Sequence, residues 1–311
     1  MPRAALALVL GTSTLYCQPG VVAVVNSASF QSGLPAGGAL ATAFVTGLTA
    51  LKPGTYVAPT ATPLPFQLGG ITVAVDNDYA PLLAVIVPSD PALNVQVNFQ
   101  VPLSANASLL ASRFGSVYTG SFLVSDGVNK AAPANSLITS GLPPWGGFFA
   151  DANGYAAAVH ASDSSPVTPQ KPAHPGESII AYADGFFLTW PRPPIGIAAP
   201  AQMNFAQDDS LAASPRSLYL QAYPQYVSNC APEPGPCTMQ GTFPDTPPLA
   251  IRSMGLAAGM IGVEAINFVV PANQPAGKWA LFFNVITNPD PSGTGGLTSG
   301  SSSPYVTLPV D

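Results

Sequence analysis

Two stretches of the sequence share one pattern of apolar and polar positions. Residues 93–102 read LNVQVNFQVP and residues 262–271 read GVEAINFVVP. In both, β-branched and aromatic residues alternate with polar ones, an Asn precedes a Phe, and a Pro ends the run. Such alternation predicts a β-strand, and Pro is expected at a strand end because it cannot donate to the ladder. The sequence therefore predicts a protein of two related halves.

Further matches support an internal repeat. Three pairs of positions are each 138 residues apart: Gly38 and Gly176, Phe44 and Tyr182, and Gly47 and Gly185. Short apolar strands alternate with frequent turns, and no long helical period is evident. We therefore predict an all-β fold of two tandem Ig-like β-sandwich domains, domain 1 at residues 18–140 and domain 2 at residues 141–311.

The composition agrees with a turn-rich β protein. The chain has 36 Pro and 29 Gly, which disfavour helices, yet 47% of its residues are apolar and only 8% are charged. A disordered chain would be less apolar and more charged, so we expect a folded protein. The net charge of −6 argues against nucleic acid as a partner, and so weakly charged a surface favours self-association.

The N-terminus resembles a secretory signal. Arg3 is followed by an apolar run over residues 4–15, which is too short to span a bilayer. We predict a signal peptide at residues 1–17, cleaved after Cys17, and hence a secreted protein located outside the cell or at its surface. Alternatively, the same run is a strand of the folded protein.

The other two cysteines lie in a Pro-rich loop. Cys230 and Cys237 are separated by six residues, and a disulfide between them is expected in an oxidising compartment. No second pair of Cys or His residues accompanies them, so zinc is not expected, and we predict no cofactor. We assign this loop to an insertion in domain 2 at about residues 215–247.

Several of these motifs resemble a known family, the uncharacterised Solibacter-type C-terminal domain of secreted acidobacterial proteins. The motifs are VVNSASF at residues 24–30, VNFQVP at 97–102, PAHPGE at 172–177 and NFVVP at 267–271. The resemblance implies a secreted, Ig-like β-rich module. It implies no catalytic residues.

Candidate catalytic residues are few. His160 lies near Ser162 and Asp163, but adjacency in sequence does not give the geometry of a triad, and we expect a loop histidine. His174 precedes a Pro-Gly turn and is expected at the surface. Glu264 is an acid on an otherwise apolar strand, and we expect it to face solvent. We therefore predict that the protein is not an enzyme.

Two binding sites are open alternatives. Asp76 and Asp78 flank Asn77 and are a possible calcium site, although a hairpin turn explains the same residues. Aromatic side chains could form a sugar-binding platform. The candidates are Trp145, Trp190, Trp279, Tyr155, Tyr223 and Tyr226. An extracellular adhesion or carbohydrate-binding module is thus the alternative function.

The leading hypothesis is a secreted structural protein that self-assembles into an extracellular filament or surface layer. Its likeliest polymer contact is β-strand addition through the apolar segment at residues 20–26. We predict that Val21, Val22, Val24 and Val25 form this assembly strand. Deleting residues 18–27 would then abolish polymers.

Overall fold

The computed structural model describes residues 19–35, 37–59, 63–103, 121–133, 146–185, 194–200, 203–204, 216–222, 249–286, 300–302 and 305–311. Three of the sequence predictions lie outside these ranges: the signal peptide at residues 1–17, the disulfide between Cys230 and Cys237, and most of the insertion at about residues 215–247. Of that insertion, only residues 216–222 are described, and they form a strand.

All nineteen elements in the described part of the chain are strands, so the all-β prediction is confirmed. The first half contains β1 Gly20–Asn26, β2 Leu40–Thr46, β3 Gly54–Val57, β4 Thr72–Val75, β5 Asp78–Tyr79, β6 Leu82–Val87, β7 Val95–Gln100, β8 Phe122–Ser125 and β9 Lys130–Pro133. The second half contains β10 Gly147–Phe148, β11 Ala158–His160, β12 Ser178–Asp184, β13 Met203–Asn204, β14 Arg216–Ala222, β15 Ile251–Leu256, β16 Glu264–Val269, β17 Gly277–Ile286, β18 Gly300–Ser302 and β19 Val306–Val310. None of the described segments is a helix with the length and hydrophobicity that crossing a bilayer requires.

The first half is one curled sheet with the strand order β3-β6-β7-β2-β1-β9-β8-β4-β5. Its neighbours pair antiparallel except β1 and β9, which run parallel at Gly20 and Val21. The sheet folds over itself, because the rings of Phe99 on β7 and Phe122 on β8 lie 5.8 Å apart although three strands separate β7 from β8. Apolar side chains from both ends of the order therefore share one core.

The second half follows the same order of pairing. Strands β13, β15, β16, β12 and β11 are neighbours in succession, and β19, β17 and β14 form a second group. Tyr155, just before β11, pairs parallel with Thr307 of β19, as β1 pairs with β9 in the first half. The second core likewise combines both groups, with Ile179 and Phe268 from one and Leu281 and Leu308 from the other.

The three central strands repeat with one register. β2 and β12 are 138 residues apart, whereas β6 and β15, and β7 and β16, are 169 apart. Thr42 pairs with Asn98, and the residues at the matching positions, Ile180 and Asn267, also pair. Even the irregularity is shared: the β6–β7 ladder shifts between Leu82 and Ala84, and the β15–β16 ladder shifts between Ile251 and Ser253, which are the same places. A β-bulge conserved at one position in both ladders is a built feature of each half.

Candidate functional site

A tight turn follows the first strand in each half, and the two turns are alike. Asn26 N–H donates to the carbonyl of Gln31, and Phe30 N–H returns to the carbonyl of Asn26. In the second half His160 N–H donates to the carbonyl of Ser165, and Ser164 N–H returns to that of His160. Phe30 and Ser164 both have positive φ, at 54° and 58°. Asn26 and His160 therefore occupy the same position, 134 residues apart, in the two halves.

The side chain at this position has a different partner in each half. Asn26 Oδ1 accepts the N–H groups of Ala28 and Ser29, both at 2.9 Å, and its Nδ2 donates 3.0 Å to Asp184 Oδ2 of the second half. His160 instead places Nδ1 2.7 Å from Glu177 Oε1 of its own half. One site is thus filled by a carboxylate from the other half, and its counterpart by a carboxylate from the same half.

Four hydrogen bonds join the halves around this point. Leu40 N–H donates to Asp184 Oδ1 at 2.9 Å, beside the bond from Asn26. Nearby, Gly196 N–H donates to Gln100 Oε1 at 2.6 Å, and Leu64 N–H donates to the Gly196 carbonyl at 2.8 Å. Because Asn26, Gln100 and Asp184 are all buried, the contact excludes water and holds the halves in direct contact.

Glycines allow this close approach. Gly262 has φ of +67°, and a Cβ at this residue would lie 2.8 Å from Leu40 Cδ2 and 3.0 Å from the Gly38 carbonyl. Gly185 has φ of +80°, and its Cβ would lie 2.8 Å from Asn26 Nδ2. Both positions require a left-handed backbone and the absence of a side chain, which glycine alone provides without strain.

Two carboxyl groups are buried beside the interface. Asp184 is fully buried, and Glu264 is 3% exposed. The expectation that Glu264 faces solvent is wrong, because its strand β16 lies between β12 and β15 and its side chain lies at the junction of the halves. Burial, and secondarily the charge of Glu264, raise the pKa of Asp184 well above its ordinary value of 3.8. The hydrogen bonds from Leu40 and Asn26 oppose this rise.

The histidines form a second polar cluster. His160 ends β11 and is 2% exposed, so the expectation of a loop histidine is wrong, whereas His174 lies at the surface as expected. Both ring nitrogens of His160 face acceptors, Nδ1 the Glu177 carboxylate and Nε2 the Lys171 carbonyl at 3.3 Å. A doubly protonated imidazolium satisfies both. His174 pairs through Nδ1 with the Asp311 carboxylate.

This cluster does not form a nucleophile–base pair. Asp163 lies near His160 in sequence, but it bonds to Ser165 Oγ at 2.6 Å and to Lys171 Nζ at 2.8 Å. Because both nitrogens of His160 are engaged elsewhere, its ring has none left to accept a proton from a serine. The geometry is that of a buried ion pair which supports a turn.

The candidate calcium residues lie in the β4–β5 hairpin. Asp76 and Asn77 are its two central residues, with φ of 49° and 71°, as a type I′ turn requires. Asp76 Oδ1 also accepts the Ser121 N–H at 3.1 Å. The turn thus accounts for these residues. Throughout the described ranges, no group of three or more His, Cys, Asp and Glu residues is placed to hold a metal ion.

The predicted assembly strand is enclosed in its own sheet. Val21, Val24 and Val25 are buried, and Val22 is 57% exposed because the β1–β2 ladder shifts between Val21 and Ala23. One edge of β1 pairs with β2 along its length. On the other edge, β9 covers the beginning of the strand, and the loop that follows the strand covers its end, where the Val24 carbonyl accepts the Gly33 N–H.

The outward face of the first half carries no charge. Strands β1, β2, β3, β6 and β7 contain no acidic, basic or His residue. Two cross-strand rows form this face: Thr55, Ile86, Gln96, Phe44 and Ala23 in one, and Val57, Ala84, Asn98, Thr42 and Val25 in the other. The polar members bond mainly to one another, since Asn98 Oδ1 accepts from both Thr42 and Gln96. We call this surface the neutral face.

The neutral face ends at an exposed edge strand. β3 is outermost in the sheet order and pairs with β6 on its inner side. Thr55 and Val57 are exposed, with Val57 at 68%, and Ile86 beside them is 36% exposed. The strand contains no Lys, Pro or acidic side chain, the usual guards of an edge, although Lys52 and Pro53 precede it.

The candidate aromatic residues do not form a shared platform. Trp279 packs against the second core and donates Nε1–H to the Pro275 carbonyl at 2.8 Å. The Tyr155 ring is covered by Lys278 Nζ, 5.4 Å from its centroid. Trp145, Trp190, Tyr223 and Tyr226 lie outside the described residues.

Comparisons with other proteins give little guidance. No protein-family model and no curated protein matches the chain. Among solved structures, an endo-fucoidan hydrolase variant of glycoside hydrolase family 107 aligns with 14% identity, covering 78% of this chain and 23% of that one, at a TM-score of 0.18. At that TM-score, the similarity carries no argument about fold or activity.

Proposed function

We propose that this chain is a secreted, non-enzymatic structural protein that self-assembles into an extracellular filament or surface layer by β-strand addition. The observation that carries the proposal is the edge strand β3, which is exposed, uncharged and continuous with the neutral face. An open edge presents unpaired N–H and C=O groups to another chain, and an uncharged face beside it offers no repulsion.

The domain part of the proposal is two tandem Ig-like β-sandwiches. In such sandwiches strands A, B, E and D form one sheet, and strands C, F and G form the other. In the first half β1, β2, β7 and β6 are neighbours in that order, and β9, β8 and β4 are neighbours likewise. The second half offers β11, β12, β16 and β15 with β19, β17 and β14.

A head-to-tail contact explains how copies would extend without closing. Among the described strands, β14 (Arg216–Ala222) is outermost in the last sheet, at the opposite half from β3. Pairing of β3 in one copy with β14 in the next uses two different surfaces. Contacts of this kind continue indefinitely unless the rotation closes a ring.

Electron microscopy and light scattering across a concentration series test the proposal. We compare the wild type with Val57→Lys, which places a charge on the edge, and with Val128→Lys, which charges a residue that is 79% exposed in the β8–β9 turn. The wild type and Val128→Lys should form regular polymers, and Val57→Lys should need at least about tenfold higher concentration. Wild-type monomers at every concentration would overturn self-assembly.

A second experiment separates edge addition from exchange of β1, the assembly strand predicted from the sequence. Ala23 and Phe44 face each other across β1 and β2, so a disulfide between Ala23→Cys and Phe44→Cys would hold β1 in its own chain. Edge addition through β3 predicts that the bridged protein still assembles. Assembly that appears only after reduction would show that copies exchange β1.

A further inference from the structure

The interface between the halves contains an arrangement that is costly when fully charged. Asp184 ends β12, and Glu264 begins β16 opposite the preceding residue, Ala183. Both acids are buried, at 0% and 3% exposure. Two ionised carboxylates on neighbouring strands in a dry site repel each other, and such pairs retain a proton.

The groups around Asp184 come from four elements. Asn26 at the end of β1 and the Leu40 N–H on β2 donate to its two carboxylate oxygens. Gly147 of β10 pairs with it across the sheet. In the described ranges, Glu264 of β16 is the ionisable group that acts on its charge. The state of this pair therefore bears directly on the bonds that join the halves.

We propose that one proton shared by the Asp184 and Glu264 carboxyl groups keeps the two halves docked, and that loss of this proton at alkaline pH opens the interface. The proton belongs to the pair, because strongly coupled carboxyls titrate together. Opening lets water reach both carboxylates and ends the repulsion between them.

The direction of the pH dependence follows from linkage. Burial, and secondarily the charge of Glu264, hold the pKa of Asp184 well above 3.8 while the halves are docked, and exposure to water returns it to that range. Between the two values the docked state binds a proton that the open state has released. Docking is therefore strongest below the ordinary carboxyl range and weakens as pH rises through the window up to the raised pKa.

Amide hydrogen exchange at Leu40 measures this opening, because its N–H is bonded to Asp184 itself. We compare its protection factor, corrected for the intrinsic effect of pH, with that of Ala43 in the middle of β2. Between about pH 5 and about pH 9 the Leu40 factor should fall at least about tenfold, the change expected from one pKa unit. The Ala43 factor should stay constant.

The variant Glu264→Gln removes the repulsion and retains both donors to Asp184. In this variant the Leu40 protection should lose most of its pH dependence, whereas Asp78→Asn, which changes an exposed acid on β5, should behave as the wild type. A wild-type Leu40 factor that does not vary with pH overturns the proposal, and so does an equal fall at Ala43. Unchanged pH dependence in Glu264→Gln overturns the role of the pair. The wild-type series decides even if the variant does not fold.

Discussion

The site that receives Asp184 from the other half at Asn26 receives Glu177 from its own half at His160. The two positions have the same backbone geometry, so the difference lies in the side chains alone. Because Glu177 occupies this place, the second half is complete at a point where the first half needs its neighbour.

Glu177→Ala should destabilise the second half. The change leaves His160, which is 2% exposed, with one ring nitrogen unpaired, and removes the acceptor of the His174 N–H. We expect about 2 kcal/mol less free energy of unfolding, measured by urea unfolding at neutral pH. Asp78→Ala, at an exposed acid, is the control and should change stability by less than about 0.5 kcal/mol. Equal stability of the two variants would contradict the role given to Glu177.

Gly262→Ala should weaken the contact between the halves. Gly259 provides a matched control, because its φ of +74° is close to the +67° of Gly262 but a Cβ there meets nothing within 4 Å. We expect Gly259→Ala to cost about 1 kcal/mol from backbone strain, and Gly262→Ala at least about 2 kcal/mol because its methyl group also collides with Leu40. Thermal unfolding of the two variants side by side measures the difference. If both lose the same stability, the contact tolerates a side chain.

Asp126→Asn should be destabilising at neutral pH and neutral in acid. Burial raises the pKa of Asp126, but hydrogen bonds from Asn129, Val128 and Ala50 outweigh it and hold that pKa below 3.8. A carboxyl of lowered pKa contributes stability above its ordinary value and loses it as pH falls through the lowered one. We expect a loss of about 1–2 kcal/mol at pH 7, shrinking towards zero near pH 2. The melting temperatures of both proteins across this range provide the measurement, and a difference independent of pH would refute it.

Asn77→Val should disrupt the β4–β5 hairpin, whereas Asn77→Gly should not. Asn77 has φ of 71°, a region open to Gly and Asn but strained for β-branched residues. We expect Asn77→Val to cost about 1–2 kcal/mol and Asn77→Gly to be neutral or slightly stabilising. Melting temperatures with and without added calcium also test the alternative. A rise with calcium that Asp78→Asn removes would show that the hairpin binds the ion.

Much of the fold is readable from the sequence because strand positions and turn glycines leave local signals. The 138-residue spacing of Gly38 and Gly176 corresponds to matching turns, in which each N–H bonds to the same position after the third central strand. The likeness of Asn26 and His160 was not found, because backbone hydrogen bonds define that turn and the side chains have diverged. The near-match of VVN at residues 24–26 to AVH at 158–160 was the available signal.

The site was less predictable, since it depends on contacts between halves. Glu264 lies on a strand whose neighbours are apolar, and alternation alone cannot distinguish a solvent-facing position from a buried interface. The apolar character of β1 has a similar explanation. Val21 and Val24 contribute to the first core, and Val25 lies on the buried part of the neutral face, so the segment that looked suited to a partner chain is needed at home.

The parallel pairing of β1 with β9, repeated where Tyr155 meets Thr307, has a mechanical consequence. In each half the first and last strands are neighbours that run the same way. Tension applied at the start of one and the end of the other slides them past each other, so their hydrogen bonds are loaded together and do not open one by one. Each half is thereby suited to bear tensile load along the chain, the demand that a fibre or a surface tether places on its subunits.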